Sequence, residues 1–198
     1  MDELVRQAMA KWPNVPAVFD WLSLDLRGNW LLQGERISNP LLNDFISRNY
    51  THDDSGRWFF QNGPQRVFVQ LRYAPWVLRA RDGGGLITHT GLNVERIDCV
   101  WLDESGILIV ETEHGAGILD DRDAELFSNR LVDNAGNTLD EDTLLHMIES
   151  IAAGSVASLR LPYGSNFTSV HAISSSEVPE RLGFVRAPCP DDNADSVR

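Results

Sequence analysis

Two apolar runs on either side of an Asn-Gly pair dominate the pattern of the chain. Trp58, Phe59 and Phe60 precede Asn62-Gly63-Pro64, and Val67, Val69, Leu71 and Tyr73 follow at every second position. Alternation around a turn dipeptide predicts a β-hairpin. Trp58 and Phe60 then share one face of the first arm, because side chains alternate along a strand. Pro64 has no N–H to give a ladder, so it belongs at the turn or at the start of the second arm.

Before the hairpin, Leu4, Val5, Ala8 and Trp12 recur at helical spacing behind the acids Asp2 and Glu3, and Pro13 and Pro16 end that helix. Residues 19–24 read as a strand, turned back by Asp25-Leu26-Arg27-Gly28 into Trp30-Leu31-Leu32. Asn39 caps a helix begun by Pro40, with Leu41, Leu42, Phe45, Ile46 and Asn49 as its buried face.

Beyond the hairpin, residues 76–78, 86–90, 94–102 and 107–112 read as strands. Ile97, Cys99 and Trp101 are expected on one face of their strand, and Leu108 and Val110 on one face of the next. Asp120 opens a short helix. Asp140 caps a longer one, with Leu144, Leu145, Ile148 and Ile151 as its stripe and Gly154 as its stop. Residues 158–162 and 169–173 are short strands, and 178–185 form an apolar end-piece.

An acidic turn recurs, with glycines at Gly28, Gly56, Gly106 and Gly136 following Asp25, Asp53, Asp103 and Asp133. The glycines are 28, 50 and 30 residues apart, which is no solenoid period. None of the turns has EF-hand ligand spacing, so they read as one hairpin chemistry used repeatedly. The whole predicts an α+β protein, mainly antiparallel β-sheet with short flanking helices. Residues 1–186 are expected to form a single domain, with Asp82-Gly83-Gly84-Gly85 as the alternative boundary between two subdomains. Residues 187–198 are expected to be a disordered tail.

Composition narrows the function classes. With 42% hydrophobic residues and six tryptophans in 198 residues, the chain is globular. A formal charge of −12 argues against a general nucleic-acid binder and against an anionic membrane surface. Cys99 and Cys189 have neither metal-ligand nor disulfide spacing. Met1 leads straight into an amphipathic stretch, with no signal peptide and no run long enough to span a bilayer. These features predict a cytoplasmic protein with reduced thiols and no cofactor.

Two constellations are candidates for chemistry. Glu111-Thr112-Glu113-His114, if a strand end, puts two carboxylates on one side. With a further ligand such as His89, His52 or Asp98 the group would hold a metal for a hydrolase. The plainer reading is a solvated strand end. The second is the aromatic set Trp12, Trp21, Trp30, Trp58, Phe60 and Trp76, from which Trp58, Phe60 and Trp76, rimmed by Arg66 or Arg72, would line a pocket suited to a small anionic ligand or a peptide. Its plainer reading is cross-strand core packing. His171 lies between apolar neighbours and reads as structural, His146 as a half-exposed helix residue, and Cys99 as a core thiol rather than a nucleophile. No Gly-x-Ser-x-Gly elbow exists, so an α/β-hydrolase is not expected.

Four stretches carry a family resemblance. They are residues 7–16 from Gln7 to Pro16, the helix Phe45-Ile46-Ser47-Arg48-Asn49-Tyr50, the core from Trp58 to Val67, and Pro179-Glu180-Arg181-Leu182-Gly183-Phe184-Val185. Together they resemble an uncharacterised proteobacterial family, a domain of unknown function that covers most of the chain. The family has no assigned activity, so the resemblance implies no catalytic residues. The order of acidic turn, Gly-x-Trp, helix, acidic turn and hairpin is similar to a second uncharacterised bacterial α+β family.

The expectation is therefore a non-enzymatic small-ligand or protein-binding accessory module, with a homodimer through the hairpin sheet. Its partners would be a small molecule or a protein, with no nucleic acid and no membrane. The alternative is a metal-assisted hydrolase built on Glu111, Glu113 and His114. A third reading is partner docking on an exposed sheet edge.

Overall fold

The computed structural model describes residues 2–12, 15–81, 84–155 and 158–190. They form two compact units, one comprising residues up to Asp25, Asn29–Tyr73 and from Gly183 onward, the other Leu26–Gly28 and Ala74–Leu182.

The first unit holds α1 (Glu3–Lys11), β1 (Val18–Leu24), β2 (Trp30–Leu32), β3 (Glu35–Arg36), α2 (Pro40–Arg48), β4 (Tyr50–His52), β5 (Trp58–Asn62) and β6 (Gln65–Leu71). Its sheet order is β3-β2-β1-β6-β5-β4. The pair β1–β6 is parallel and the rest are antiparallel. The central hairpin forms as its pattern predicts. Asn62 pairs with Gln65 across a two-residue turn, and Gly63 has φ +57. Glycine followed by a proline of fixed negative φ suits a type II′ turn, whose twist matches the flanking strands.

Helix α2 connects β3 at one edge to β4 at the other. The Asn39 side chain accepts from Leu41 N and Leu42 N, as the sequence predicts. Ile46 is buried, Phe45 meets Phe60 edge-on at 5.3 Å, and the Trp30 indole donates to Ser47 Oγ at 3.2 Å. The outer half of its expected buried face is not covered: Leu41 is exposed, as is Leu4 on α1. Three-and-four spacing fixes which residues share a stripe, but the width buried depends on what packs there.

The second unit holds β7 (Trp76–Ala80), β8 (Leu86–Thr88), β9 (Asn93–Val94), β10 (Ile97–Leu102), β11 (Leu108–Thr112), β12 (Gly115–Leu119), α3 (Ala124–Ser128), α4 (Glu141–Ala152), β13 (Arg160–Tyr163), β14 (Asn166–Ala172) and α5 (Val178–Arg181). Its sheet order is β13-β14-β10-β11-β12-β7-β8-β9, with parallel pairs β10–β14 and β12–β7. The fold class is α+β. Antiparallel pairs dominate, but each sheet is mixed.

The expected stripe Ile97-Cys99-Trp101 does not form. A register shift between Ile97 and Cys99 puts one extra residue on β10 and flips the alternation. Val100 and Leu102 become core, and Cys99 and Trp101 are half-buried on the opposite face. Strand β12 was not expected, since Gly-Ala-Gly has little strand preference. Leu145 on α4 is exposed, while Leu144 and Ile151 are buried.

The glycine run near 82–85 joins the paired strands β7 and β8; Asp82 and Gly83 themselves lie outside the described residues. Of the expected tail, residues 187–198, those from 191 onward also lie outside the described residues. Among the described residues no helix is long and apolar enough to cross a membrane.

All four acidic turns share one closure. Asp25, Asp53, Asp103 and Asp133 each donate their own N–H to the carbonyl four residues on, and each carboxylate accepts that residue's N–H in return. The glycine at the fourth position lies at φ between +74 and +85 in every case. Only glycine adopts that backbone without strain.

Candidate ligand-binding cleft

The residues expected to form a metal centre do not assemble one. Strand β11 ends at Thr112, and Glu113-His114 is the two-residue turn into β12. The Glu113 carboxylate accepts from the backbone N–H groups of Glu95, at 2.6 Å, and Arg96, at 3.1 Å. Burial pushes its pKa up, but those N–H groups outweigh it and hold the carboxyl below its ordinary value. His114 Nε2 donates to Asn93 O at 2.8 Å, so it carries the proton there. His89 Nδ1 accepts from Val77 N at 3.3 Å. Glu111 stays in the strand, opposite Cys99 and Ala116. His52 meets the carbonyl of Asp53, and Asp98 pairs with Arg96. Among the described residues, no group of three or more His, Cys, Asp or Glu is arranged to hold a metal ion. The reason is local: the strand end is a tight turn whose side chains tie down the neighbouring strand start.

Nor do the aromatic and arginine residues of the first unit gather on one face. Trp58 is buried between Tyr50 and His52, each ring 4.8 Å away. Arg66 lies over the Phe59 ring at 4.8 Å, on the face opposite Phe60. Arg72 is exposed, just past the end of β6. Trp76 belongs to the second unit, where its indole donates to His114 O at 2.7 Å. Phe60 of this set lines a cavity in the first unit.

That cavity opens on one face of the first unit's sheet. It encloses about 450 Å³ and is lined by Val18, Trp21 and Leu22 of β1, Leu32 of β2, Ile37 between β3 and α2, Leu42 and Ile46 of α2, Phe60 and Asn62 of β5, and Gln65 and Val67 of β6. None of these side chains is charged. Asn62 and Gln65, flanking the hairpin turn, are the polar side chains, and the Trp21 indole adds one N–H donor. The Gln65 amide nitrogen donates to Pro16 O at 3.2 Å, which fixes its orientation.

The cleft exists because β1 is irregular. Val18 pairs with Val67 and Leu22 with Val69, so residues 19–21 stand against Phe68 alone. Phe19 stacks flat on Phe68 at 4.6 Å. Asp20 takes φ +63, and Trp21 is thrown outward to 53% exposure. The β2–β3 hairpin closes the side through Gln33 at φ +50 and Gly34 at φ +86, both positive as a type I′ turn requires.

Sequence reasoning places Phe60 and Trp21 in one aromatic set but assigns only Phe60 to the ligand site. A trace was present: Phe19, Trp21 and Leu22 are apolar at positions that fit neither period two nor a continuous run. That is how a bulge reads in a sequence.

A model of the DUF2944 family, described as "Protein of unknown function (DUF2946)", matches residues 1–189. Among solved structures, a DUF1285 family protein from Silicibacter pomeroyi DSS-3 is similar at 16% identity and a TM-score of 0.48, over 73% of this chain and 99% of that one. A DUF1285 family protein from Shewanella baltica OS155 is similar at 18% identity and a TM-score of 0.43, over 56% of this chain and 91% of that one. No curated protein matches the chain.

Proposed function

The chain belongs to the DUF2944 family of unknown function, and from that premise we propose that it is a non-enzymatic binding module for an uncharged, mostly apolar small molecule. The observation that carries this reading is the lining of the 450 Å³ cleft, uncharged and apolar except for two amides beside the hairpin turn and the Trp21 indole N–H. Small-molecule pockets run from ~300 to ~1,000 Å³ with few polar groups among apolar ones. A ligand that moves ~300 Å² of apolar surface into the cleft gains ~7–8 kcal/mol before paying for lost freedom. Micromolar binding needs ~8 kcal/mol net, so useful affinity also requires the amides of Asn62 and Gln65 to meet a hydrogen-bonding group. A charged head would enter without a partner, since no lining residue offers an opposite charge, and an unpaired buried charge is strongly disfavoured. This replaces the anionic ligand expected from Arg66 and Arg72. The reading is of a cytoplasmic protein whose partner is the ligand itself.

The test is binding of the uncharged dye Nile red, followed by displacement with 1-decanol and with decanoate at pH 7. The dye is expected to shift its emission to the blue. Decanol should displace it at concentrations at least roughly tenfold lower than decanoate does. Leu42→Arg, at the exposed rim, should abolish the dye shift at an unchanged melting temperature. Equal competition by both compounds, or wild-type dye binding by Leu42→Arg, overturns the proposal.

A further inference from the structure

We infer that Trp21 is the ligand-contacting wall of the cleft and that the strained backbone at Asp20 is kept in order to present it; this rests on the reading of the cleft given above. In a regular strand, neighbours point to opposite faces, so Trp21 and Leu22 would not line the same cavity. Here both do. The residues inserted between the Val18–Val67 and Leu22–Val69 pairs make that possible.

Among the described residues, two non-glycine residues have positive φ, Asp20 at +63 and Gln33 at +50. Both hold Trp21. Asp20 precedes it in the chain, and Gln33 N donates to Trp21 O at 2.8 Å. The Asp20 carboxylate accepts from Gln70 Nε2 at 2.7 Å, and the same nitrogen lies 3.5 Å from Pro188 O. Gln70 therefore clamps the bulge from β6.

Left-handed backbone at a non-glycine residue costs free energy, and it persists where surrounding structure enforces it. Core packing does not account for it here, because the side chain it turns out is a half-exposed tryptophan, the residue type with most to gain from burial. The strain leaves a large aromatic surface at the mouth of an apolar cavity. A ligand seated there would cover that surface. Asp20 and Gln70 are positioning residues, and Trp21 makes the contact.

The experiment measures Nile red affinity and melting temperature together for wild type, Trp21→Ala, Asp20→Gly and Asp20→Asn. Glycine relieves the strain and removes the acceptor for Gln70, whereas asparagine tolerates the backbone and keeps an acceptor. Trp21→Ala should bind at least about tenfold more weakly without losing melting temperature. Asp20→Gly should weaken binding while its melting temperature holds or rises, and Asp20→Asn should restore wild-type affinity. A merely structural bulge would leave affinity unmoved at constant melting temperature. If wild type binds the dye and Trp21→Ala and Asp20→Gly bind it equally well, the inference fails and the cleft reading stands. If wild type binds no dye, the cleft reading fails and takes this inference with it.

Discussion

Gly56 and Gly183 meet backbone against backbone: a Cβ built on Gly56 would lie 2.4 Å from the carbonyl oxygen of Gly183. The contact seats the returning chain beside β5. Val185 N donates to Gly56 O at 2.9 Å, Arg57 and Val185 form a parallel bridge, and Leu71 N donates to Arg186 O at 2.8 Å.

Gly56→Ala therefore meets two penalties, a φ of +74 and a collision with backbone that has no flexible end to move. The expected loss is about 3 kcal/mol, a fall in melting temperature of roughly 6–12 °C. Gly136→Ala, at φ +85 with nothing within 4 Å, should lose only the backbone component, ~1–2 kcal/mol. Thermal unfolding of the two variants decides the matter; equal losses would show that the close approach contributes nothing.

The four acidic turns allow burial to be varied at constant geometry. Asp103 is buried and accepts from Ser105 N at 2.9 Å and Ile107 N at 2.8 Å. Asp133 makes the same pair of bonds, to Ala135 N and Asn137 N, both at 2.8 Å, near solvent. Alanine at position 103 should cost ~2–3 kcal/mol, and at 133 ~1 kcal/mol, because water replaces the lost acceptor only at the second. Urea unfolding curves read both.

Asp120 sets an acid limb. It is fully buried beside the Arg122 side chain, which donates through Nε at 2.8 Å and through its terminal nitrogen, and Arg122 N donates at 3.0 Å. Burial pushes its carboxyl up, but the bonds from Arg122 outweigh that and bring the pKa from the ordinary 3.8 down to about 2. The sign follows from linkage: a depressed carboxyl pKa stabilises the fold fully above about pH 4, and that stability is lost as pH falls toward 2. The contribution is ~2 kcal/mol. Asp120→Asn should lose about that much at pH 7, and its deficit against wild type should close below pH 4 in a pH series of denaturation midpoints.

The two thiols should separate cleanly. Cys99 is half-buried and burial raises its pKa, whereas Cys189 is exposed. Iodoacetamide at pH 7.5 should modify Cys189 roughly tenfold faster or more, since the thiolate is the nucleophile. Peptide mass mapping over time reads the rates; matched rates would mean that the Cys99 face opens to solvent.

Much of the fold was legible because local chemistry and tertiary structure agree. Asn39 and Asp140 cap the helices they were expected to cap, and Gly63-Pro64 turns the central hairpin. Strand β12 was not legible, because its strand character comes from its neighbours. A Cβ on Gly117 would lie 2.9 Å from the Leu78 side chain, so glycine is there to admit β7. The bulges in β1 and β10 escaped for a related reason. A register shift is a property of two paired strands, and one chain read alone shows only a fault in its period. The cleft shares that limit: Phe60 and Trp21 both belong to the aromatic set, but the sequence assigns only Phe60, on a regular strand, to the ligand site, and Trp21 reaches it through a bulge.

The first unit is discontinuous in sequence, and this sets an order of events during synthesis. Its last pieces follow 109 residues of the second unit, 74 to 182. At ~5–20 residues per second, translation leaves the β5–β6 hairpin without them for roughly 5–20 s. Over that interval Leu71 N lacks Arg186 O, and Gly56 O lacks Val185 N. A nascent chain stalled before Gly183 would therefore present an unfinished sheet with free backbone groups, the kind of template that recruits chaperones or a neighbouring chain.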